Sequence, residues 1–385
     1  MKKLIALFAV LLFAAPAMAA DWAFYGSQRI ATWYVDRDYG DATVNGQDDD
    51  QATQWYFQGN SRFGAKVKAD KVSGQIEFGL GKGGDGGDTS VVTRRAYGVW
   101  KFTDNAWLKV GKDSATVTDV ISNQWFDADG NLYGEGNFYG RRPAGLTLGI
   151  GDFELAFLTP SYGADVGTTT TGVNGATGGD PDSYIPRLEA AYMVRLGAGY
   201  IKPFAGFQYY TVEETGLGNV TGDLDVWSYV IGVSTSWNIG AFSLGGQLSY
   251  GMNQGAVTGW DTGSNARTSS LPYLKNGDDM ADVYTLQALI VPALKLSDTL
   301  RFEAGFGFRQ DNADGAPGYS QKDEVWVTYL QAMVTMAPGV FLCPEVGYYD
   351  YMDGVNGSDQ GNQWYAGAKW QIDFLSDAAV PAQPA

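Results

Sequence analysis

From residue 362 to 374 the chain reads NQWYAGAKWQIDF. Trp364, Ala366, Ala368, Trp370, Ile372 and Phe374 fall on one parity; Gln363, Tyr365, Gly367, Lys369, Gln371 and Asp373 fall on the other. Successive side chains of a strand point to opposite faces, so this segment predicts a ribbon with one apolar and one wet side. The pattern recurs. Trp55, Phe57, Phe63, Ala65 and Val67 oppose Gln58, Asn60, Arg62, Lys66 and Lys68. Val72, Ile76, Phe78 and Leu80 alternate with Ser73, Gln75 and Glu77. Leu188 to Leu196 and Leu300 to Phe308 repeat the alternation, with Arg and Glu confined to the wet parity. Charge held to one parity over this many segments marks strands and not loops.

Period-two segments are predicted at 22–36, 54–69, 72–81, 91–103, 106–112, 141–150, 153–162, 184–196, 200–214, 222–237, 241–252, 280–296, 299–311, 323–336, 340–353 and 362–374. Their connections alternate. Short turns such as Asp70-Lys71, Gly151-Asp152 and Ser297-Asp298 exchange with long loops at 37–53, 82–90, 113–140, 163–183, 215–221, 253–279, 312–322 and 354–361. Sixteen strands with short turns on one rim and long loops on the other predict an all-β, transmembrane, antiparallel up-and-down β-barrel. Two segments fit less well. The first mixes its faces at Gln28 and Arg29, as a strand facing another subunit would, and the sixth contains Pro143, which donates nothing to a ladder.

Residues 1–19 read as a cleaved signal peptide. Lys2 and Lys3 precede the apolar stretch Leu4 to Ala15, and Ala17-Met18-Ala19 forms a small-x-small site. The barrel is expected over 20–374, and 375–385 as an unstructured periplasmic tail. Past the signal no apolar run approaches the ~20 residues of a spanning helix, so a membrane-spanning fold here has to be a closed barrel.

Composition supports this reading with 52 glycines, 14% aromatic and 18% charged residues. Removal of Lys2 and Lys3 takes the net charge from −17 to −19. Such acidity argues against a nucleic-acid partner, whose phosphates would be repelled. A single cysteine, Cys343, precludes an intrachain disulfide and is expected as a packed thiol.

The chain has no histidine. That removes Ser-His and Cys-His catalysis and nearly every catalytic zinc arrangement, so no enzyme and no catalytic residue is expected. The Gly-rich run 79–88 lacks phosphate-loop spacing and reads as a loop. The Asp127-Ala128-Asp129-Gly130-Asn131 run has Leu132 and Phe138 where a calcium loop needs Gly and Glu. No cofactor is expected. The surface-divalent candidates are the acidic runs 48–50, 127–129 and 278–279.

The motifs SRFGAK at 61–66, GKD at 111–113, YGRR at 139–142 and the GAKWQIDF ending resemble those of Gram-negative general-diffusion porins, most of all the homotrimeric porins of sulfate-reducing bacteria. The resemblance implies a homotrimer in the cell outer membrane, contacting lipid and lipopolysaccharide. It also implies a C-terminal strand, with Trp370 and Phe374, that is read by the barrel-insertion machinery. It further implies that the 113–140 loop folds into the pore. Its acids Asp113, Asp119, Asp127, Asp129 and Glu135 would then face a basic wall of Arg62, Arg95, Lys112 and Arg141. Arg142 shares the apolar parity of Ala144 and Leu146 and ranks below Arg141. The 113–140 loop contains no basic residue, which points to cation preference.

Three functions follow. The first is passive diffusion of ions and small hydrophilic solutes. The second is a substrate-specific channel for a sugar or organic acid, with Trp125, Phe126, Tyr133, Phe138 and Tyr139 as an aromatic track. The third is a structural surface protein without an open pore. Packing of those aromatics onto the wall is the simpler reading.

Overall fold

The computed structural model describes residues 20–40, 49–80, 90–162, 179–214, 222–257, 272–276, 279–313, 322–354 and 357–375. The signal segment, the tail beyond Leu375, most of the Gly-rich run and parts of two acidic runs lie outside them.

Among the described residues the chain forms sixteen wall strands. They are β1 (Asp21–Asp38), β2 (Asp50–Phe57 and Arg62–Lys68), β3 (Val72–Leu80), β4 (Val91–Lys101), β5 (Ala106–Lys112), β6 (Ala144–Ile150), β7 (Phe153–Leu158) and β8 (Gly179–Asp182, Arg187–Tyr192 and Val194–Leu196). The second half comprises β9 (Gly199–Glu214), β10 (Leu224–Ile239), β11 (Phe242–Met252), β12 (Val283–Lys295), β13 (Leu300–Ala313), β14 (Asp323–Ala337), β15 (Val340–Asp350) and β16 (Asn362–Leu375). Each pairs antiparallel with its sequence neighbours, and β16 closes the ring on β1 from Tyr25↔Leu375 to Asp38↔Asn362. Closure satisfies every edge, which is what a β-structure in hydrocarbon requires.

The predicted long-short rhythm is present. Gly151, Gly197 and Gly240 turn the chain at the short rim with φ near +60°, a conformation that costs glycine nothing. The sixth strand begins at Ala144, so Pro143 sits ahead of the ladder and not in it. Eighth-strand pairing reaches back into the predicted 163–183 loop, where Gly179–Asp182 pairs with β9.

Parity sorts the wall. Trp22, Phe24, Ile30, Trp55, Phe63, Ile76, Trp100, Trp370, Ile372 and Phe374 all lie exposed on the outside. On β16, Trp364 and Phe374 stand ten residues apart. That is about 33 Å along a strand, or about 25 Å along the membrane normal at a ~40° tilt, the height of a lipid-facing band. Phe374 pairs with Gly26, and its ring lies over the space a Gly26 side chain would fill. The inside carries Glu77, Glu189, Gln287, Glu303, Glu345 and Lys369, all buried. Cys343 is buried on this inner face.

Two irregularities matter for the site. Ile30 pairs with Phe57 and Ser27 with Arg62, so β1 spends two residues where β2 spends four, and Gln58 to Ser61 bulge inward. Between β3 and β4, Glu77 pairs with Arg95 and Phe78 with Thr93, leaving Arg94 as an extra residue. A bulge of this kind re-aims a side chain.

Candidate pore constriction

The 113–140 segment folds into the barrel and runs around the inside of the wall. Three glutamates from separate strands hold its backbone. Glu189 of β8 accepts from Val117 N at 3.2 Å, and Glu303 of β13 from Asn123 N at 2.9 Å. Glu345 of β15 accepts from Trp125 N at 2.7 Å and Phe126 N at 3.0 Å, with Tyr365 Oη donating at 2.8 Å. Gln287 and Gln247 accept from the amides of Gly136 and Phe138. Arg187 donates to the carbonyl of Gly140 at 2.6 Å. A loop held inside a barrel exposes amides that strand ladders would otherwise satisfy, and these side chains take that role.

Apolar packing adds to the anchoring. Phe126 stacks on Tyr365 at 3.8 Å and meets Trp33 edge-on at 5.6 Å. Leu132 and Phe138 are fully buried. Burying side chains of this size contributes roughly 1.5–3 kcal/mol each. At Gly307 the loop approaches so closely that an added Cβ would meet Glu135 O at 1.9 Å.

The tip of the loop meets the bulge in β2. Gln58 Nε2 donates to Trp125 O at 2.9 Å, and Asn60 Nδ2 to Ala128 O at 2.6 Å and Asp129 Oδ2 at 3.0 Å. Asp129 lies between Arg29 and Lys369, with Lys369 Nζ at 3.1 Å. Burial works to raise the Asp129 pKa, but Lys369 and Arg29 outweigh it and hold the carboxyl well below its ordinary 3.8.

Between the loop and the wall of β1 to β4 lies a cavity of about 580 Å³. Arg29, Arg62, Arg94, Arg95, Arg142 and Lys369 line it, with Asp129 as the one carboxylate among its lining residues. Glu77 and Asp113 stand behind the arginines. Arg94 Nε donates to Glu77 at 2.9 Å, Arg62 lies 3.8 Å from it, and Arg95 lies 3.4 Å from Asp113. Lys109 also reaches Asp113, at 2.7 Å.

Of the sequence-predicted residues, Arg62, Arg95 and Asp129 line this cavity, and Asp113 adjoins it. Lys112 and Arg141 are not among its lining residues; Arg142 is. Arg141 precedes the strand and has φ +63°, so strand parity does not govern which of the pair turns inward. Asp119 lies on the opposite wall, taking hydrogen bonds from Tyr200 Oη at 2.8 Å and Ser234 Oγ at 2.6 Å. Asp127 is exposed, and Glu135 meets Gly307 through its backbone. Sequence reasoning missed Arg94, which only the bulge turns inward, and Arg29 and Lys369. The wet parity of β16 marked Lys369 as a lumen residue. The aromatics of the loop are buried, although Trp125, Tyr133 and Tyr139 also border the cavity.

No protein-family model and no curated protein matches the sequence. Solved structures do match by shape. The outer-membrane channel DcaP of Acinetobacter baumannii superposes with a TM-score of 0.68 at 16% identity, over 93% of this chain and 99% of that one. The chain folds as an outer-membrane β-barrel. The anion-selective porin from Comamonas acidovorans gives 0.56 at 13%, over 92% and 100%. In vitro folded OmpT of Vibrio cholerae, in trimer form, gives 0.53 at 15%, over 92% and 99%.

Proposed function

We propose that this chain is an outer-membrane porin, a water-filled channel through which ions and small hydrophilic solutes diffuse passively. One observation carries the reading: a closed sixteen-strand wall, apolar outside, encloses a polar cavity narrowed by an inward loop and lined by charged side chains. A wall of this size is too wide for its own side chains to fill, which leaves room for water. The absence of histidine from the sequence speaks against the commonest hydrolytic chemistries.

The reading extends to a homotrimer. The motif resemblance supports it, as do the polar outward residues Gln28 and Thr32 in β1 and the trimer form of a structural neighbour. Assembly in lipid with lipopolysaccharide, after recognition of Trp370 and Phe374 by the insertion machinery, belongs to the same proposal.

A second reading, a substrate-specific channel, is favoured by one feature: Trp125, Tyr133 and Tyr139 border the narrow cavity. Planar-bilayer recording tests both. Stepwise conductance unaffected by added sugar supports the diffusion porin. Saturable block by one sugar favours the specific channel. A bilayer that stays sealed in the presence of folded barrel overturns both and favours a surface protein without a pore.

A further inference from the structure

We infer that the constriction is an anion filter, in which small oxyanions pass along the β1–β4 wall by exchange among guanidinium groups. The inference rests on the porin reading and adds a substrate class to it. Sequence balance points the other way, with a chain of −17 and a loop rich in acids. The fold separates those charges. Glu189, Glu303 and Glu345, which parity places in the lumen, lie buried beneath the loop and accept its backbone amides. The glutamates of that wall are thereby covered by the loop backbone, and the wall left facing the cavity is basic.

The charges there do not cancel. Among the described residues, the six cationic groups of the lining and Lys109 behind them meet three carboxylates, Asp129, Glu77 and Asp113, an excess of four positive charges around one cavity of about 580 Å³. Arg142 contacts Tyr139 through the ring face, 5.6 Å from its centroid, and among the described residues has no carboxylate within salt-bridge distance. The Nε atoms of Arg142 and Arg95 are buried without a hydrogen-bond partner. Those two nitrogens are shielded from the cavity, so an oxyanion there is met by the charge of the guanidinium groups and not by a new bond at Nε. Guanidinium forks match the planar spread of carboxylate and phosphate oxygens. The short-turn rim continues the sign. A second cavity there, of about 680 Å³, is lined by Lys66, Lys68, Lys71 and Lys101 against Asp21 and Asp70. An ion leaving the constriction on that side meets further positive charge, which keeps binding multi-site and release fast.

The test is the reversal potential of the whole protein in a planar bilayer under a KCl gradient, followed by addition of inorganic phosphate. The expected result is a chloride over potassium permeability ratio above one, on the order of fivefold, because a charge ring of one sign sets ion preference. Phosphate should reduce the chloride current saturably. The variant R62Q/R142Q should bring the ratio toward one and weaken the phosphate effect. A ratio at or below one in the wild-type channel would overturn the anion filter while leaving the porin reading intact. A silent bilayer would instead remove the porin reading on which it rests.

Discussion

Lys369 Nζ lies 3.1 Å from Asp129 Oδ1, joining the terminal strand to the tip of the inward loop across 240 residues of sequence. Arg29 approaches the same carboxylate from the first strand. One acid of the loop therefore bridges the two strands whose pairing closes the barrel.

Breaking that bridge leaves two buried cations without their partner. Asp129→Asn is expected to destabilise the protein by about 2–4 kcal/mol, at the lower end of what a broken buried ion pair costs because the cavity side admits water. The pH dependence has a definite sign. Asp129 has a depressed folded-state pKa, so its contribution is complete above its ordinary 3.8 and is lost only as pH falls toward its folded value of about 2. The stability gap between wild type and variant should therefore be flat from pH 8 to pH 5 and narrow only below pH 4. Denaturant melts at a series of pH values check this.

Glu345 is expected to matter more to the loop than to the wall. Glu345→Ala removes the acceptor of two buried amides, Trp125 and Phe126, at about 1–3 kcal/mol each. The loop should detach locally while the strand ladders persist. Proteolysis within 113–140 should accelerate several-fold, with the circular-dichroism signal of the sheet unchanged.

Gly307 sets the depth of the loop. A side chain there would overlap Glu135 O, so Gly307→Val should push the loop off the β13 wall and cost about 1–3 kcal/mol by overpacking. The measurement is thermal unfolding, read together with the same proteolysis.

The outer face gives an independent prediction. Phe374 covers the backbone of Gly26, its cross-strand partner. Phe374→Ala should lower the yield of assembled barrel and weaken the closing seam. Heat-modifiable migration on gels, which separates folded from unfolded barrels, reads this directly.

Much of the wall was legible in the sequence because a pleated strand with lipid on one side and polar groups on the other writes its parity into every second residue. β16 and β13 follow that code closely. The site was legible only where the code held. Arg62 and Arg95 were named from the motif resemblance together with parity, and both line the cavity. Arg94 was not, since an extra residue between Glu77 and Phe78 pairing positions turns it inward against parity. Arg141 and Arg142 were ranked by a parity that does not operate ahead of Ala144. The part played by the lumen glutamates was not legible, because sequence carries no sign that loop amides 70 to 220 residues away would be laid over them.

Single-channel conductance in a planar bilayer, compared between wild type and Glu345→Ala, tests the central claim most directly. A water-filled barrel narrowed by a docked loop should give discrete steps in the wild type and larger, noisier ones once the loop anchor is lost. Folded wild-type barrel that inserts and passes no current, or steps of identical size in the two proteins, would contradict it.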